Sequence, residues 1–268
     1  MTAPSAAAGT GAVIPGHRLV ALYGYPDDPG LGVLGQQDLP TAITRVQQVA
    51  AGYAPLSDVP VLPAFDIIAT IADEEAGADG DYSDETDPDT LQPWVDRAAD
   101  AGLYVILDLQ PGRSDFLSQA RRYTGLLTRP NVGLALDPEW RLGPGQKHLQ
   151  QIGSVDAGEV NRVLDWLADL TAAHGLPQKV VVLHQFRLSM LRNEADIGFP
   201  AHPELAVVVQ MDGQGTPKLK DETWAAVTAA APADTRFGWK DFLRNDTPTL
   251  TPAQTMTKTP TPDLISYE

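Results

Sequence analysis

Two carboxylates at positions 137 and 139 are the strongest chemical signal in the sequence. Asp137 and Glu139 follow the apolar run 133–136, flank Pro138 and precede Trp140. Side chains alternate faces along a strand, so residues two apart point the same way, and two neighbouring carboxyls raise one pKa. A protonated carboxyl beside an ionised one suits general acid catalysis on a glycosidic bond, and the indole offers a flat apolar face for a sugar. The simpler interpretation is an acidic pair that caps the next loop.

Eight apolar or β-branched runs alternate with amphipathic segments along the chain. The predicted strands are residues 18–25, 61–71, 104–109, 132–137, 179–184, 205–211, 236–239 and 264–267. The predicted helices are residues 40–51, 90–101, 115–127, 157–174, 222–231 and 252–258, with a brief helix at 189–196. This alternation predicts an α/β fold, a single-domain (β/α)8 TIM barrel over residues 18–268 after a flexible segment 1–17. A doubly wound open sheet is the alternative.

Polar and aromatic residues gather at the carboxyl ends of the predicted strands, where barrel enzymes place their chemistry. Carboxylates, amides and aromatic rings match a neutral polyol, which needs hydrogen bonds to its hydroxyls and stacking on its ring faces. The residues at these ends are Tyr23, Tyr25, Asp108, Gln110, Asp137, Glu139, Trp140, His184, Gln185, Gln210, Asp212, Trp239, Lys240 and Tyr267.

Several of these residues also have a purely structural interpretation. Asp108 could anchor its loop through backbone amides, and His184 could be an interior histidine with satisfied hydrogen bonds. Asp212 stands before a glycine, which is typical of a turn, and Trp239 could belong to the core.

The composition restricts the class of partner and the location. The net charge is −16, with 35 acids against 19 bases, which disfavours nucleic acid and anionic lipid as partners. There is no cysteine, and no apolar run approaches the length of a membrane-spanning helix. The first 16 residues are small and polar and lack the apolar region of a signal peptide, as in the stalk of a mature exported domain. We therefore expect an extracellular or cell-envelope protein.

Neither a metal nor a cofactor is expected from the sequence. The five histidines are scattered, without H-x-H or H-E-x-x-H, and there is no G-x-S-x-G serine elbow or Gly-rich phosphate loop after the first strand. Residues 73–89 hold nine acids and no base. Their spacing does not match a calcium-binding EF-hand, so a solvated acidic loop is favoured.

The ends of the third and fourth predicted strands resemble those of retaining glycoside hydrolases with a D-x-E on the fourth barrel strand, nearest to the chitinase-like families and the barrel-fold lysozymes. The resemblance implies that Glu139 is the general acid and Asp137 the assisting carboxylate. The segment 210–212 is faintly similar to the sixth chitinase strand. The chain departs from the chitinase pattern at Val132 and Ala135, and from the barrel lysozymes in the first strand, where tyrosines stand in place of an aspartate.

Over more of its length the chain is similar to an uncharacterised group of exported actinobacterial proteins. The matching segments are residues 22–26, 108–113, 136–140 and 184–187. This resemblance implies an exported, single-domain protein and no particular reaction.

These observations predict a glycoside hydrolase that cleaves a polysaccharide at the carboxyl face of the barrel. Glu139 protonates the leaving oxygen, Asp137 assists it, and Asp212 or Asp108 is the second carboxylate. The other strand-end residues bind the sugar, and four aromatic residues form its platform: Tyr23, Trp140, Trp239 and Tyr267.

Two other classes of function remain open from the sequence. One is a glycan-binding protein on a hydrolase-derived barrel, which would bind the sugar on the aromatic platform without cleaving it. The other is a barrel lyase or aldolase in which Lys240, if buried, forms a Schiff base. Pairing of Lys240 with a strand-end acid such as Glu139 or Asp212 is the favoured interpretation of that lysine.

Overall fold

The strands of the computed structural model, which describes residues 12–199 and 201–268, close into a barrel. They are β1 (Arg18–Gly24), β2 (Val61–Ala72), β3 (Ser83–Glu85), β4 (Tyr104–Leu109), β5 (Val132–Leu136), β6 (Val155–Asp156), β7 (Lys179–His184), β8 (Leu191–Arg192), β9 (Leu205–Met211), β10 (Arg236–Asp241) and β11 (Leu264–Tyr267). The parallel order is β1-β11-β10-β9-β7-β5-β4-β2, and β1 also pairs with β2. That last pairing closes the sheet, so the (β/α)8 TIM barrel is confirmed and the open-sheet alternative is wrong.

Helices connect successive barrel strands and cover the outer face of the sheet. They are α1 (Leu39–Tyr53), α2 (Pro88–Asp100), α3 (Phe116–Arg122), α4 (Thr124–Leu127), α5 (Ala157–Ala173), α6 (Pro217–Ala230) and α7 (Pro252–Thr255). Short 3-10 helices occur at Val33–Gln36, Ala54–Leu56, Pro138–Trp140, Leu188–Met190 and Glu194–Asp196. The short strand β3 pairs antiparallel with β2, and β6 pairs with β8 outside the barrel.

The brief helix predicted at residues 189–196 is instead two 3-10 turns on either side of β8, and the helix predicted at residues 252–258 ends at Thr255. Two further predicted helices differ from the structure for local reasons. The helix predicted over residues 115–127 is interrupted at Tyr123, whose buried hydroxyl contacts the carbonyls of Ala69 and Thr86 at 2.7 and 2.9 Å. The helix predicted from residue 222 begins at Pro217, because the Thr216 side chain caps it by accepting from a backbone amide.

The interior of the barrel is divided into two halves. The lower half, at the amino ends of the strands, is an apolar core. Side chains alternate between the two faces of a strand, so the residue two positions after each inward-facing residue of the apolar core also points inward. These later residues are polar, and they fill the upper half of the barrel. The lower core consists of Ile14, Leu19, Ala21, Ala64, Tyr104, Ile106, Ala135, Val180, Val182, Ala206, Val208 and Leu264.

The start of the described chain closes the lower end of the barrel. The turn over residues 13–17 is held by a 2.8 Å hydrogen bond from the His17 amide to the Val13 carbonyl, and the Ile14 amide donates to Gln178 at 3.2 Å. Ile14 is buried against the lower core. Residues 1–11 of the predicted flexible segment lie outside the described residues. No helix in the described ranges is long and apolar enough to cross a membrane.

Gly112, just beyond β4, brings the acidic loop against the barrel. Its φ is +56°, and a Cβ on it would lie 2.1 Å from the Asp81 carbonyl. We expect Gly112→Ala to destabilise the protein by about 1–3 kcal/mol, because alanine is strained at this φ and the loop must move. Gly125→Ala is the control: open space surrounds Gly125, and we expect no loss of stability. Urea unfolding of both variants measures the effect, and equal stability of the two would contradict the prediction.

Candidate active site

A pocket of about 310 Å³ opens at the carboxyl ends of the barrel strands. Seven of the predicted site residues line it, together with two phenylalanines and a terminal glutamate that the sequence reasoning did not select. The predicted residues on its wall are Tyr23, Gln110, Asp137, Glu139, Trp140, Asp212 and Lys240.

The carboxyl groups of Asp137 and Glu139 both reach this pocket. β5 ends one residue before Asp137, and residues 138–140 form a 3-10 turn in which Asp137 accepts from the Glu139 amide at 3.2 Å. Asp137 is 2% exposed, whereas Glu139 is half-buried. Burial, and then the charge of Glu139, raise the pKa of Asp137 well above its usual value. Burial and the nearby Asp212 raise the pKa of Glu139 to about 7.

Lys240 forms a fixed cation in the wall of the pocket. Its Nζ lies 2.7 Å from Oε2 of Glu268 and 3.5 Å from the centre of the Tyr23 ring. Burial alone would lower the pKa of Lys240, but the charges of Glu268 and Asp212 outweigh it and raise the pKa. The close ion-pair partner is therefore Glu268, where the sequence had suggested Glu139 or Asp212. A Schiff base requires an unprotonated amine, so this environment disfavours Lys240 as a nucleophile.

Asp108 lies beneath the pocket and holds Tyr23 in place. The Tyr23 hydroxyl donates to Oδ2 of Asp108 at 2.8 Å and accepts from the Gln110 amide group at 3.2 Å. Asp108 is fully buried and does not line the pocket. Of the two predicted candidates for a second carboxylate, the structure brings Asp212 to the pocket and leaves Asp108 below it.

His184 links the buried acids under the pocket. Its Nδ1 lies 2.9 Å from Oδ2 of Asp212, and its Nε2 lies 3.9 Å from Oδ1 of Asp108. Burial alone would lower the pKa of His184, but Asp108, Asp212 and Asp137 together raise it to about 10. As with Asp108, the side chain is fully buried and does not line the pocket.

Three further predicted polar or aromatic residues do not line the pocket. Gln185 is buried and donates to Oε2 of Glu194 at 2.9 Å, which ties down the loop after β7. Gln210 points into the barrel and donates to the Ser266 hydroxyl at 2.5 Å. Tyr25 is half-buried in the turn after β1.

Trp239 and Tyr267 lie on the outer face of the barrel wall. Because Lys240 points inward, its neighbour Trp239 must point outward, where it packs on Trp224 with ring centres 5.6 Å apart. The Tyr267 hydroxyl meets that of Tyr53 on α1 at 2.5 Å. Neither ring can contact a ligand in the pocket, so two of the four predicted platform residues are absent from it.

Several residues of the upper interior and the pocket are not among the predicted site residues. Asp66 is fully buried, and Glu268 holds Lys240. A charged residue inside an apolar strand is a signal of function, and Asp66 carries that signal within β2. Phe186 and Phe242 line the pocket from loops and have no comparable sequence signal.

Among the described residues, two groups of side chains have the spacing of metal ligands. Asp137, His184 and Asp212 are buried, and one ligand atom from each lies within 4.8 Å of the others. The second group is Asp79, Asp81 and Glu85, on the acidic loop and more exposed.

A larger cavity, of about 650 Å³, lies outside the barrel mouth. Three arginines line it: Arg113, Arg141 and Arg192. Glu159 neutralises Arg141 through hydrogen bonds of 2.9 and 3.2 Å. We place the candidate site in the smaller pocket, because that one receives side chains from the barrel interior.

Neither a protein-family model nor a curated protein sequence matches the chain. Solved structures do match it in fold. A 2,3-dimethylmalate lyase of the PEP mutase/isocitrate lyase superfamily has a TM-score of 0.50 at 12% identity, covering 94% of this chain and 76% of its own. Dihydrodipicolinate synthase from Bacillus clausii gives 0.39 at 10%, covering 93% and 67%. Dihydropteroate synthase from Xanthomonas albilineans gives 0.35 at 12%, covering 93% and 87%. The lyase shows that the chain shares the TIM-barrel fold.

The predicted glycoside hydrolase function is wrong, and so is its glycan-binding alternative. The solved structure whose barrel the chain shares is a lyase and not a glycosidase. The pocket also lacks half of the predicted aromatic platform, because Trp239 and Tyr267 lie behind the barrel wall.

Proposed function

We propose that the protein is a lyase-type enzyme that eliminates a group from a small polar molecule by moving a proton. The observation that carries the proposal is that a carboxyl, Glu139, and a fixed cation, Lys240, line one small pocket at the mouth of the barrel. The pocket volume of about 310 Å³ suits a small molecule better than a polymer.

The cation gives the pocket a place for negative charge that develops during a reaction. Lys240 is held by Glu268 at 2.7 Å and by the face of Tyr23, so its ammonium group is positioned before a substrate binds. A preorganised charge of this kind stabilises an oxyanion without reorganisation during the reaction. An enolate oxygen, formed when a carbon next to a carbonyl loses its proton, is such an anion.

The proposed reaction balances as an elimination. The Glu139 carboxylate takes a proton from the carbon beside a carbonyl, and the C–H electron pair forms the enolate, whose oxygen lies against Lys240. When the carbonyl re-forms, the same pair becomes a carbon–carbon double bond and expels the group on the next carbon. Glu139 returns its proton to that leaving group, so the enzyme ends as it began.

The lyase in the structural comparison is compatible with this class of reaction, but its name describes that protein alone. We propose the location separately: the resemblance to exported proteins supports an extracellular or cell-envelope protein.

Glu139→Gln is expected to reduce proton exchange at carbon by about 100-fold or more, because the amide cannot accept the proton. The measurement is loss of the C–H signal by proton NMR in D₂O, with a panel of small β-hydroxy acids, hydroxy-dicarboxylic acids and sugar acids. Glu222→Gln, at an exposed position on α6, is the matched control and should exchange as fast as the wild type.

Two results would overturn the proposal. One is exchange by Glu139→Gln at the wild-type rate. The other is a folded wild-type protein that exchanges no member of the panel.

A further inference from the structure

We infer that a divalent metal ion binds between Asp137, His184 and Asp212, at the inner side of the pocket. The three side chains come from the ends of β5, β7 and β9, which are neighbours in the barrel. One ligand atom from each lies within 4.8 Å of the others, and all three residues are buried. A site built on adjacent strands holds its geometry without a mobile loop.

Unsatisfied buried atoms are the second, independent observation. Nε2 of His184 and Oδ1 of Asp212 have no hydrogen-bond partner among the residues that the structure describes. Oδ1 of Asp108, 3.9 Å from Nε2 of His184, also has none within those ranges. Buried polar atoms are ordinarily paired, so several orphans in one place indicate a missing partner. A cation satisfies carboxylate oxygens and an imidazole nitrogen together.

The charge balance of the upper interior supports the same conclusion. Across the described ranges, Lys240 is the cationic side chain that faces a larger set of acids there. The carboxyl groups of the upper interior and pocket belong to Asp66, Asp108, Asp137, Glu139, Asp212 and Glu268. A divalent ion would offset part of this excess negative charge.

The donor set indicates which ions fit. One imidazole nitrogen with carboxylate oxygens suits Zn²⁺ or Mn²⁺ better than Ca²⁺, which prefers oxygen ligands alone. Nδ1 of His184 and Oδ2 of Asp212 are already joined by a 2.9 Å hydrogen bond, so Nε2 of His184 and Oδ1 of Asp212, which have no partner among the described residues, are the atoms left for an ion. The sequence predicts no metal, so this site corrects that prediction, and the site does not depend on the proposed reaction.

The test is metal binding by the full chain after treatment with EDTA and dialysis. Calorimetric titration with MnCl₂ and ZnCl₂, and with MgCl₂ and CaCl₂ for comparison, should show one equivalent of Mn²⁺ or Zn²⁺ bound. Asp212→Asn and Asp137→Asn should each weaken it by about tenfold or more. His202 and Asp165 form a surface pair with the same 2.9 Å separation, so His202→Gln and Asp165→Asn are matched controls and should bind as the wild type does.

The outcomes separate the two candidate groups of ligands. Loss of binding in Asp81→Asn but not in Asp212→Asn would place the ion on the acidic loop and overturn the inference, as would no saturable binding in the wild type. Pulsed EPR of bound Mn²⁺ is measured on the wild-type protein, so its result does not depend on whether a variant folds. Coupling to an imidazole nitrogen supports the site, and absence of that coupling overturns it. No substrate is used, so these results are independent of the proton-exchange assay.

Discussion

Lys220→Met is expected to destabilise the protein by about 3–5 kcal/mol, because it leaves buried carboxylates without their cation. Lys220 reaches from α6 to an ion pair with Asp246, lies 3.8 Å from Asp241, and donates to the Lys240 carbonyl at 2.7 Å. Asp246 in turn accepts from the Phe242 amide at 2.9 Å, so the pair also holds the loop that lines the pocket. Urea unfolding at neutral pH measures the loss.

The control for this variant lies two residues away on the same helix. Lys218 is exposed, and its contact with Glu222 is a 3.9 Å surface pair, so Lys218→Met should change stability by less than about 1 kcal/mol. A Lys220→Met protein that unfolds at the same urea concentration as Lys218→Met would show that the buried network is not stabilising.

Asp66→Asn is expected to stabilise the protein, and the gain should grow with pH. Asp66 is fully buried, and neither carboxylate oxygen has a hydrogen-bond partner within residues 12–199 and 201–268. Burial, and then the charge of Asp108, raise the pKa of Asp66 from 3.8 to about 7. The native state therefore holds this proton more tightly than the unfolded chain does. The contribution of Asp66 to wild-type stability should fall as the pH rises from about 4 to about 7 and then level off.

An asparagine at this position removes the titration and keeps the shape of the side chain. The variant should exceed the wild type by up to about 4 kcal/mol at pH 8, and the difference should disappear near pH 4. Thermal unfolding across this range, with EDTA present, is the measurement. Asp169→Asn, at an exposed position on α5, should show no such pH-dependent difference. If Asp66→Asn raised the stability equally at pH 4 and pH 8, the result would contradict a raised pKa for Asp66.

The barrel could be predicted because its strands are buried on both faces. Continuous apolar runs such as those in β7 and β9 identify such strands directly, and the predicted bounds of both are the observed ones. The start of α6 could not be predicted in the same way, because a threonine cap and a proline begin it before its apolar stripe. Periodicity locates the buried middle of a helix more reliably than its ends.

The candidate site was predicted in part, and the misses have two physical causes. Strand ends were selected without assigning which residues point inward, so Lys240 and its outward neighbour Trp239 were treated alike. Alternation along β10 would have separated them. A partner such as Glu268 for Lys240 depends on how separate strands meet in the fold, and the local sequence pattern does not indicate it.

The filled lower half of the barrel has a kinetic consequence. Tyr104 and its aliphatic neighbours occupy the interior below the polar side chains, and Ile14 covers the end of the barrel beneath them. A molecule in the pocket therefore has no route through the barrel axis and must leave by the opening through which it entered. A substrate cannot enter while a product is leaving, so each departing product temporarily blocks the next substrate. The loops around the opening therefore govern both steps.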